Sequence, residues 1–237
     1  MSPFAPMAKR PPIAGLYVLT PELADTASLV ARVSCAIAGG AAVVQYRNKL
    51  GPNALRREQA LALRALCRAR SVTFIVNDDV GLAHEVAADG VHLGRDDGEL
   101  AAARRQLGAD AIIGASSYDS LETGQRALLA GASYLAFGSF FASRVKPQAV
   151  RAPLSLLNSA KMRWNVPIVA IGGITAASAP ALIAAGADAV AVISAVFDAP
   201  DIAAAAAAFR AAFALRSSLA PGARRIANEQ RGLQHDP

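Results

Sequence analysis

Along nearly the whole chain, short continuous apolar runs alternate with longer stretches in which Ala, Leu and Arg recur at helical spacing. Continuous apolar runs bounded by turn residues suit strands buried on both faces, and the longer periodic stretches suit amphipathic helices packed over them. The predicted strands begin near Leu16, Ala42, Thr73, Gly90, Ile112, Tyr134, Ile168 and Ala189. The predicted helices lie near Asp25–Ala38, Asn53–Ala69, Val80–Ala88, Glu99–Leu107, Leu121–Ala130, Leu154–Lys161, Ala177–Ala185 and Ile202–Leu215. Glycine marks the helix-to-strand joints, in AGGAAVV around Gly39, AADGVHL around Gly90, LGADAII around Gly108, AGASYLAF around Gly131 and AGADAVAV around Gly186. A glycine there can take the left-handed conformation that closes a helix.

Strict alternation of strand and helix points to an α/β fold with a parallel sheet, and eight units of this size to a single (β/α)8 TIM barrel. Residues 13–216 carry the barrel, 1–12 read as a flexible leader and 217–237 as a disordered tail. A doubly wound open sheet is the alternative.

Composition narrows the class. Of 237 residues, 54% are hydrophobic and 18% charged, which excludes disorder of the whole chain. Two cysteines, Cys35 and Cys67, supply neither a disulfide framework nor a four-ligand zinc site, so a reducing, cytoplasmic setting is expected. The formal charge of +6 invites a nucleic-acid reading, but the excess sits at the ends: Lys9 and Arg10 in the leader, and Arg216, Arg224, Arg225 and Arg231 in the tail against Glu229 and Asp236. The nearly balanced body has no basic stripe interleaved with aromatics, so no nucleic-acid partner is expected. The apolar run Ala203–Ala208 is fenced by Pro200 and Arg210, too short to span a bilayer, and no membrane association is expected.

In parallel α/β folds, reactive groups collect at the carboxyl ends of strands, where all following loops open on one face. From the second strand onward these ends carry Gln45-Tyr46-Arg47-Asn48-Lys49, Asn77-Asp78-Asp79, His92 to Asp97, Gly114 to Ser117, Gly138 to Lys146, Gly172-Gly173 and Ser194. Asp78 and Asp97, at the ends of adjacent strands, can converge on a hard cation such as Mg2+. Alternatively, Asp78 or Asp79 caps the next helix, and Asp96 or Asp97 begins another. Arg47 and Lys49 alternate on an extended segment and can point to one side, with Lys146 joining from the sixth loop. Three cations facing a carboxylate-held metal suit a diphosphate; solvated surface charge is the simpler alternative. Gly172-Gly173 and Ile193-Ser194 end the last two strands, where barrels often bind phosphate, although a tight turn explains a glycine pair equally well. His92 reads as barrel packing, and no Ser-His-Asp triad or His/Cys metal cluster is suggested. Trp164 and Phe140-Phe141 read as packing groups.

These rim segments resemble the thiamine phosphate synthase family over roughly Gly15 to Ala199. QYRNK at Gln45–Lys49 is similar to Q-L-R-x-K, VNDDVGLA at Val76–Ala83 to I-N-D, and GVHLGRDD at Gly90–Asp97 to G-V-H-L-G-Q-x-D. GASS at Gly114–Ser117 is similar to G-V-S, GSFFASRVK at Gly138–Lys146 to G-P-x-F-x-T-x-T-K, and AIGGIT with VISA to the closing phosphate-binding elements.

The resemblance implies coupling of 4-amino-5-hydroxymethyl-2-methylpyrimidine diphosphate to a thiazole phosphate, with release of pyrophosphate, and of carbon dioxide when the thiazole is carboxylated. The implied mechanism is dissociative. Carried over residue by residue, Asp78 and Asp97 would hold Mg2+, while Arg47, Lys49, Asn77 and Lys146 bind the diphosphate. Gln45 would orient the pyrimidine and Ser116 would hydrogen-bond near the breaking bond. Gly173, Ile193 and Ser194 would receive the thiazole phosphate. Ser143 and Val145 stand where the family often has two threonines contacting the thiazole substrate, and Val145 has no hydroxyl to offer.

A related thiazole tautomerase shares the barrel but carries a histidine in the region of Tyr118, so the retained Arg47, Lys49, Asp78 and Asp97 favour the synthase. A silent barrel that senses thiamine precursors is the alternative from another class. The expected partners are small-molecule substrates, and the sequence allows a homodimer.

Overall fold

The computed structural model describes residues 13–94, 99–142 and 150–215. Within them eight strands run β1 (Gly15–Leu19), β2 (Ala41–Tyr46), β3 (Thr73–Asn77), β4 (Gly90–Leu93), β5 (Ile112–Tyr118), β6 (Tyr134–Phe137), β7 (Ile168–Ile171) and β8 (Ala189–Val192). All neighbours pair in parallel, and β1 pairs with both β2 and β8, so the sheet closes into a barrel in chain order. Closure excludes the open doubly wound sheet.

The helices are α1 (Thr26–Gly39), α2 (Asn53–Ala69), α3 (Val80–Glu85), α4 (Leu100–Leu107), α5 (Leu121–Leu129), α6 (Ser155–Arg163), α7 (Ala179–Ala184), a short α8 (Ser194–Phe197), and α9 over residues 202–215. The expected eighth helix is therefore α9. Sequence periodicity missed α8, because four residues are too few to show a helical repeat. The expected leader 1–12 and tail 217–237 lie outside the described residues. No described helix is long and apolar enough to cross a membrane.

Two apolar layers result from the period-2 geometry of the strands. One set of positions, including Tyr17, Val43, Ile75, Tyr134, Val169 and Ala191, fills the barrel interior. The other packs against the helices, as Phe74 and Phe137 do. Trp164 stacks on Phe137 with centroids 6.5 Å apart and donates its indole N–H to Gln125, and Phe140 is buried, so both are packing groups as expected.

The joint glycines divide by cause. Gly40, not Gly39, takes the left-handed backbone that closes α1, at φ +112°. Gly39 and Gly90 serve close approach instead: a Cβ on Gly39 would sit 2.3 Å from the Ala203 carbonyl oxygen, and one on Gly90 would sit 1.7 Å from that of Ile112. At two joints an aspartate does further work. Asp89 accepts from the Phe74 N–H and Asp188 from the Ile168 N–H, each at 2.8 Å, fixing where β3 and β7 begin. Lys161 closes on Asp188 at 2.7 Å, and Arg104 of α4 reaches the carbonyls of Ala111 and Gly131 across two joints. These contacts bind the face of the barrel opposite the strand ends, leaving the other rim to the residues that carry chemistry.

Candidate active site

The segment after β2 is built on a buried polar scaffold. Tyr46 and Asn48 point away from the barrel axis, and both donate to the Gln59 side-chain oxygen, at 2.9 and 3.1 Å. Gln59 is fully buried and donates in turn to the Leu23 carbonyl at 2.8 Å. Burial pushes the Tyr46 phenol up to about 12, so it remains an O–H donor. With the even positions anchored, Arg47 and Lys49 reach carboxylates of the neighbouring strand ends, Glu22 after β1 and Asp78 after β3. Thr20, at the end of β1, ties the segment down: its Oγ1 accepts from the Arg47 N–H at 2.9 Å and donates to the Arg47 carbonyl at 3.1 Å.

Both cations of this segment meet a carboxylate. Arg47 pairs with Glu22 at 2.6 Å, and Lys49 Nζ with Asp78 at 2.9 Å. All four side chains keep part of their surface in water, so the pairs are weak and an incoming anion can exchange for the carboxylates at small cost. Glu22 was not anticipated. The polar cluster Thr20-Pro21-Glu22 at the end of the first strand is the signal that would have found it.

After β3 the two aspartates separate by role. Asp79 is the cap of α3: its Oδ1 accepts from the Leu82 N–H at 2.8 Å, and its Oδ2 from Arg56 at 2.8 Å. Asp78 does not cap. It sits in the left-handed region at φ +65°, with its N–H donated to the His92 carbonyl at 2.9 Å, and this backbone turns its carboxylate toward Lys49. Among the alternatives the sequence left open, capping therefore belongs to Asp79 and leaves the Asp78 carboxylate at the rim. Arg56, which braces Asp79, was also missed.

Between the ends of β2 and β3 lies a cavity of about 230 Å3, lined by Tyr46, Asn48, Lys49, Arg56, Asn77 and Asp78 among others. A wider open groove of about 770 Å3 between α1 and α2 contains none of the expected site residues. Gln45 is 2% exposed, and neither its side-chain amide nor that of Asn77 has a hydrogen-bond partner among the described residues. Both amides are left able to donate to and accept from a ligand at the rim.

Ser116 of β5 bonds to His92 Nε2 at 3.0 Å. Around β7 and β8, Gly173 lies at φ +63°, where a Cβ would fall 2.2 Å from the Ala142 carbonyl oxygen, so the glycine lets the loop after β6 cross tightly over it. Ile193 and Ser194 open α8. Its first bonds run from Val196 and Phe197 to the Ile193 carbonyl, so the N–H groups of Ser194 and Ala195 have no partner within the helix, the arrangement that suits an anion. Tyr118 ends β5 at φ +53°. Asp97, Ser143, Val145 and Lys146 lie outside the described residues. Among the described ones, no group of three metal-binding side chains is present.

The rim thus gathers carboxylate, cation, amide, hydroxyl and backbone N–H groups from the ends of β1, β2, β3, β5 and β8. The chain matches the family model for thiamine monophosphate synthase over residues 16–196. It is 56% identical over 207 residues to the thiamine-phosphate synthase of Chromobacterium violaceum, covering 87% of this chain and 99% of that protein. With the enzyme of the same name from Azoarcus sp. it shares 54% over 202 residues, 85% and 98% of the two chains. The solved thiamine phosphate pyrophosphorylase from Pyrococcus furiosus superimposes with a TM-score of 0.75 at 36% identity, over 84% of this chain and 95% of that one. A 3-hexulose-6-phosphate synthase superimposes at 0.64 with 21% identity, a likeness of fold alone. With the model covering the barrel from β1 to α8 and two such relatives spanned almost end to end, the chain belongs to the thiamine monophosphate synthase family.

Proposed function

We propose that this protein is a transferase that joins 4-amino-5-hydroxymethyl-2-methylpyrimidine diphosphate to a thiazole phosphate, giving thiamine phosphate and pyrophosphate. The observation that carries the reading is the convergence of Arg47, Lys49, Asp78 and the unpartnered amides of Gln45 and Asn77 on one rim.

The chemistry asks little of the protein beyond position and charge. The C–O bond of the pyrimidine diphosphate breaks with its electron pair going to the diphosphate oxygen. The aminopyrimidine ring shares the positive charge left on the methylene carbon, and the thiazole nitrogen supplies the pair for the new C–N bond. A carboxylated thiazole then loses carbon dioxide, and the pair of that C–C bond passes into the ring system, which takes up one proton from solvent to give the aromatic thiazolium. Arg47 and Lys49 bind the departing diphosphate, exchanging their present carboxylate partners for it. Lys146 adds a third cation, Asn77 donates to the diphosphate, and Gln45 orients the pyrimidine. Gly173, Ile193 and Ser194 hold the thiazole phosphate, bringing the nucleophile next to the cation before water can. Ser143 and Val145 border the thiazole.

Mg2+ fits the donor set. It is held by one or two carboxylates together with phosphate oxygens and water, and Asp78 brings a carboxylate to the rim beside Lys49. Asp78 with Asp97 would hold the ion, which when bound supplies positive charge against the diphosphate oxygens.

The test is to combine the purified protein, Mg2+ and both phosphorylated substrates, and to measure thiamine phosphate and pyrophosphate. Equimolar formation of the two is expected. Absence of both at saturating substrate would refute the proposal, and aromatisation of the thiazole carboxylate without the pyrimidine would assign a tautomerase instead.

A further inference from the structure

The barrel interior carries a line of polar side chains that leads to Ser116, and its inner members, Tyr17, Tyr134 and His92, have no part in the mechanism above. Tyr17 of β1 and Tyr134 of β6 approach oxygen to oxygen at 2.9 Å, Tyr134 lies 2.9 Å from His92 Nδ1, and His92 Nε2 lies 3.0 Å from Ser116 Oγ. Tyr17 and Tyr134 are 2% and 0% exposed. The line leads from the closed interior to a rim residue, and the backbone makes room for it: a Cβ on Gly114 would stand 2.3 Å from the Tyr134 oxygen and 2.5 Å from His92 Nδ1.

The line has a direction. Tyr17 has one hydrogen-bond partner among the described residues, the Tyr134 oxygen. A buried O–H left without an acceptor bears its full desolvation penalty, so Tyr17 donates. The Tyr134 proton must then pass onward to His92 Nδ1. A neutral imidazole that accepts at Nδ1 carries its proton on Nε2, and this N–H donates to Ser116 Oγ. The Ser116 proton is left free to point toward the barrel mouth. Running the line backwards would strand the Tyr17 proton in the core. Burial raises both phenols above their ordinary value, so both remain O–H groups.

We infer that Tyr17, Tyr134 and His92 form a one-way hydrogen-bond line that fixes Ser116 as a donor, with His92 as its positioning residue. The direction stands on geometry. Its use rests on the function proposed above and on the place the family resemblance gives Ser116, a hydrogen bond to the oxygen departing with the diphosphate. Ser116 keeps its proton throughout, and the C–O pair passes to the diphosphate oxygen.

Two measurements on the full chain test this. The sequence holds three histidines, so nitrogen NMR of imidazole-labelled protein, with His92 assigned through His92→Gln, reads the neutral tautomer directly. A proton on Nε2 is expected, and a proton on Nδ1 overturns the inference whether or not the enzyme is active. In the second, glutamine places an amide N–H near the position of Nε2, whereas asparagine reaches only that of Nδ1. His92→Asn should lower kcat about thirty-fold and His92→Gln about three-fold, both with an unchanged KM for the pyrimidine diphosphate, against the hundred-fold or more typical of losing a transition-state donor outright. In a Ser116→Ala background His92→Asn should cost nothing further. Additive losses would show that His92 does not act through Ser116, and a wild type silent toward both substrates would refute the proposed function while leaving the tautomer result to stand.

Discussion

Asp78 joins a strained backbone to the carboxylate offered to a metal, and the two can be separated by substitution. Its φ of +65° costs an L-residue with a Cβ about 1–2 kcal/mol relative to glycine. Asp78→Ala and Asp78→Gly both delete the carboxylate and the pair with Lys49, worth about 0–1 kcal/mol since Lys49 is 51% exposed, so the comparison between them cancels that loss. Glycine returns about 0.4–1 kcal/mol through the greater freedom of its unfolded chain. The remainder spans about 0–1.6 kcal/mol and centres on about 0.8 kcal/mol in favour of Asp78→Gly, which for a domain of this size corresponds to a Tm about 2 °C above that of Asp78→Ala. Calorimetry without Mg2+ measures the difference, and turnover against Mg2+ concentration measures the function. Both variants should lose Mg2+-dependent turnover while unfolding cooperatively. An alanine variant more stable than the glycine variant would refute the strain, and wild-type turnover in both would remove Asp78 from the metal.

Gln59→Leu strands the Tyr46 hydroxyl, the Asn48 amide and the Leu23 carbonyl. At about 1–3 kcal/mol for each buried orphan, urea unfolding should show a loss of at least about 3 kcal/mol, and a loss under about 1 kcal/mol would mean that the three groups find other partners. Arg56→Met removes the brace on Asp79, paired at 2.8 Å, while leaving the cap on Leu82; the Mg2+ concentration for half-maximal turnover should rise about three-fold with kcat at saturating Mg2+ retained, the equivalent of less than about 1 kcal/mol. An unchanged Mg2+ requirement would deny Arg56 that role. Of the two free cysteines, Cys35 is exposed, and Cys67 is buried with its thiol pushed up to about 12 by desolvation. A thiol-specific reagent at mildly alkaline pH should titrate one thiol in the native protein and two after unfolding, because only a thiolate reacts.

The barrel and much of its rim were legible because both are written locally. A strand buried on both faces must be continuously apolar, and the polar residue that ends it must face the loops. Reading strand ends therefore found Gln45, Arg47, Lys49, Asn77, Asp78 and Ser116 without knowledge of any contact. What stayed hidden is nonlocal. Nothing in the spacing of Gln59 marks it as the partner of Tyr46, because a buried glutamine and an exposed one look alike on an amphipathic helix. Asp78 and Asp79 are adjacent and chemically identical, and only the left-handed turn at Asp78 decides which caps α3 and which reaches the rim.

His92 shows most sharply where local reading stops. Its place near the end of β4 reads as that of a barrel-packing residue, and the structure sets it between Tyr134 and Ser116. Its role depends on three other strands: β5 brings Ser116 to Nε2, β6 brings Tyr134 to Nδ1, and β1 supplies the Tyr17 hydroxyl. Those four strands are not consecutive in the closed order, and the Tyr17–Tyr134 contact crosses the barrel interior. The same closure that buries the strands thus turns a packing residue into one that sets the direction of a hydrogen bond at the rim. Gly114 is the cost visible in the sequence, a strand position denied a Cβ so that two rings can meet over it.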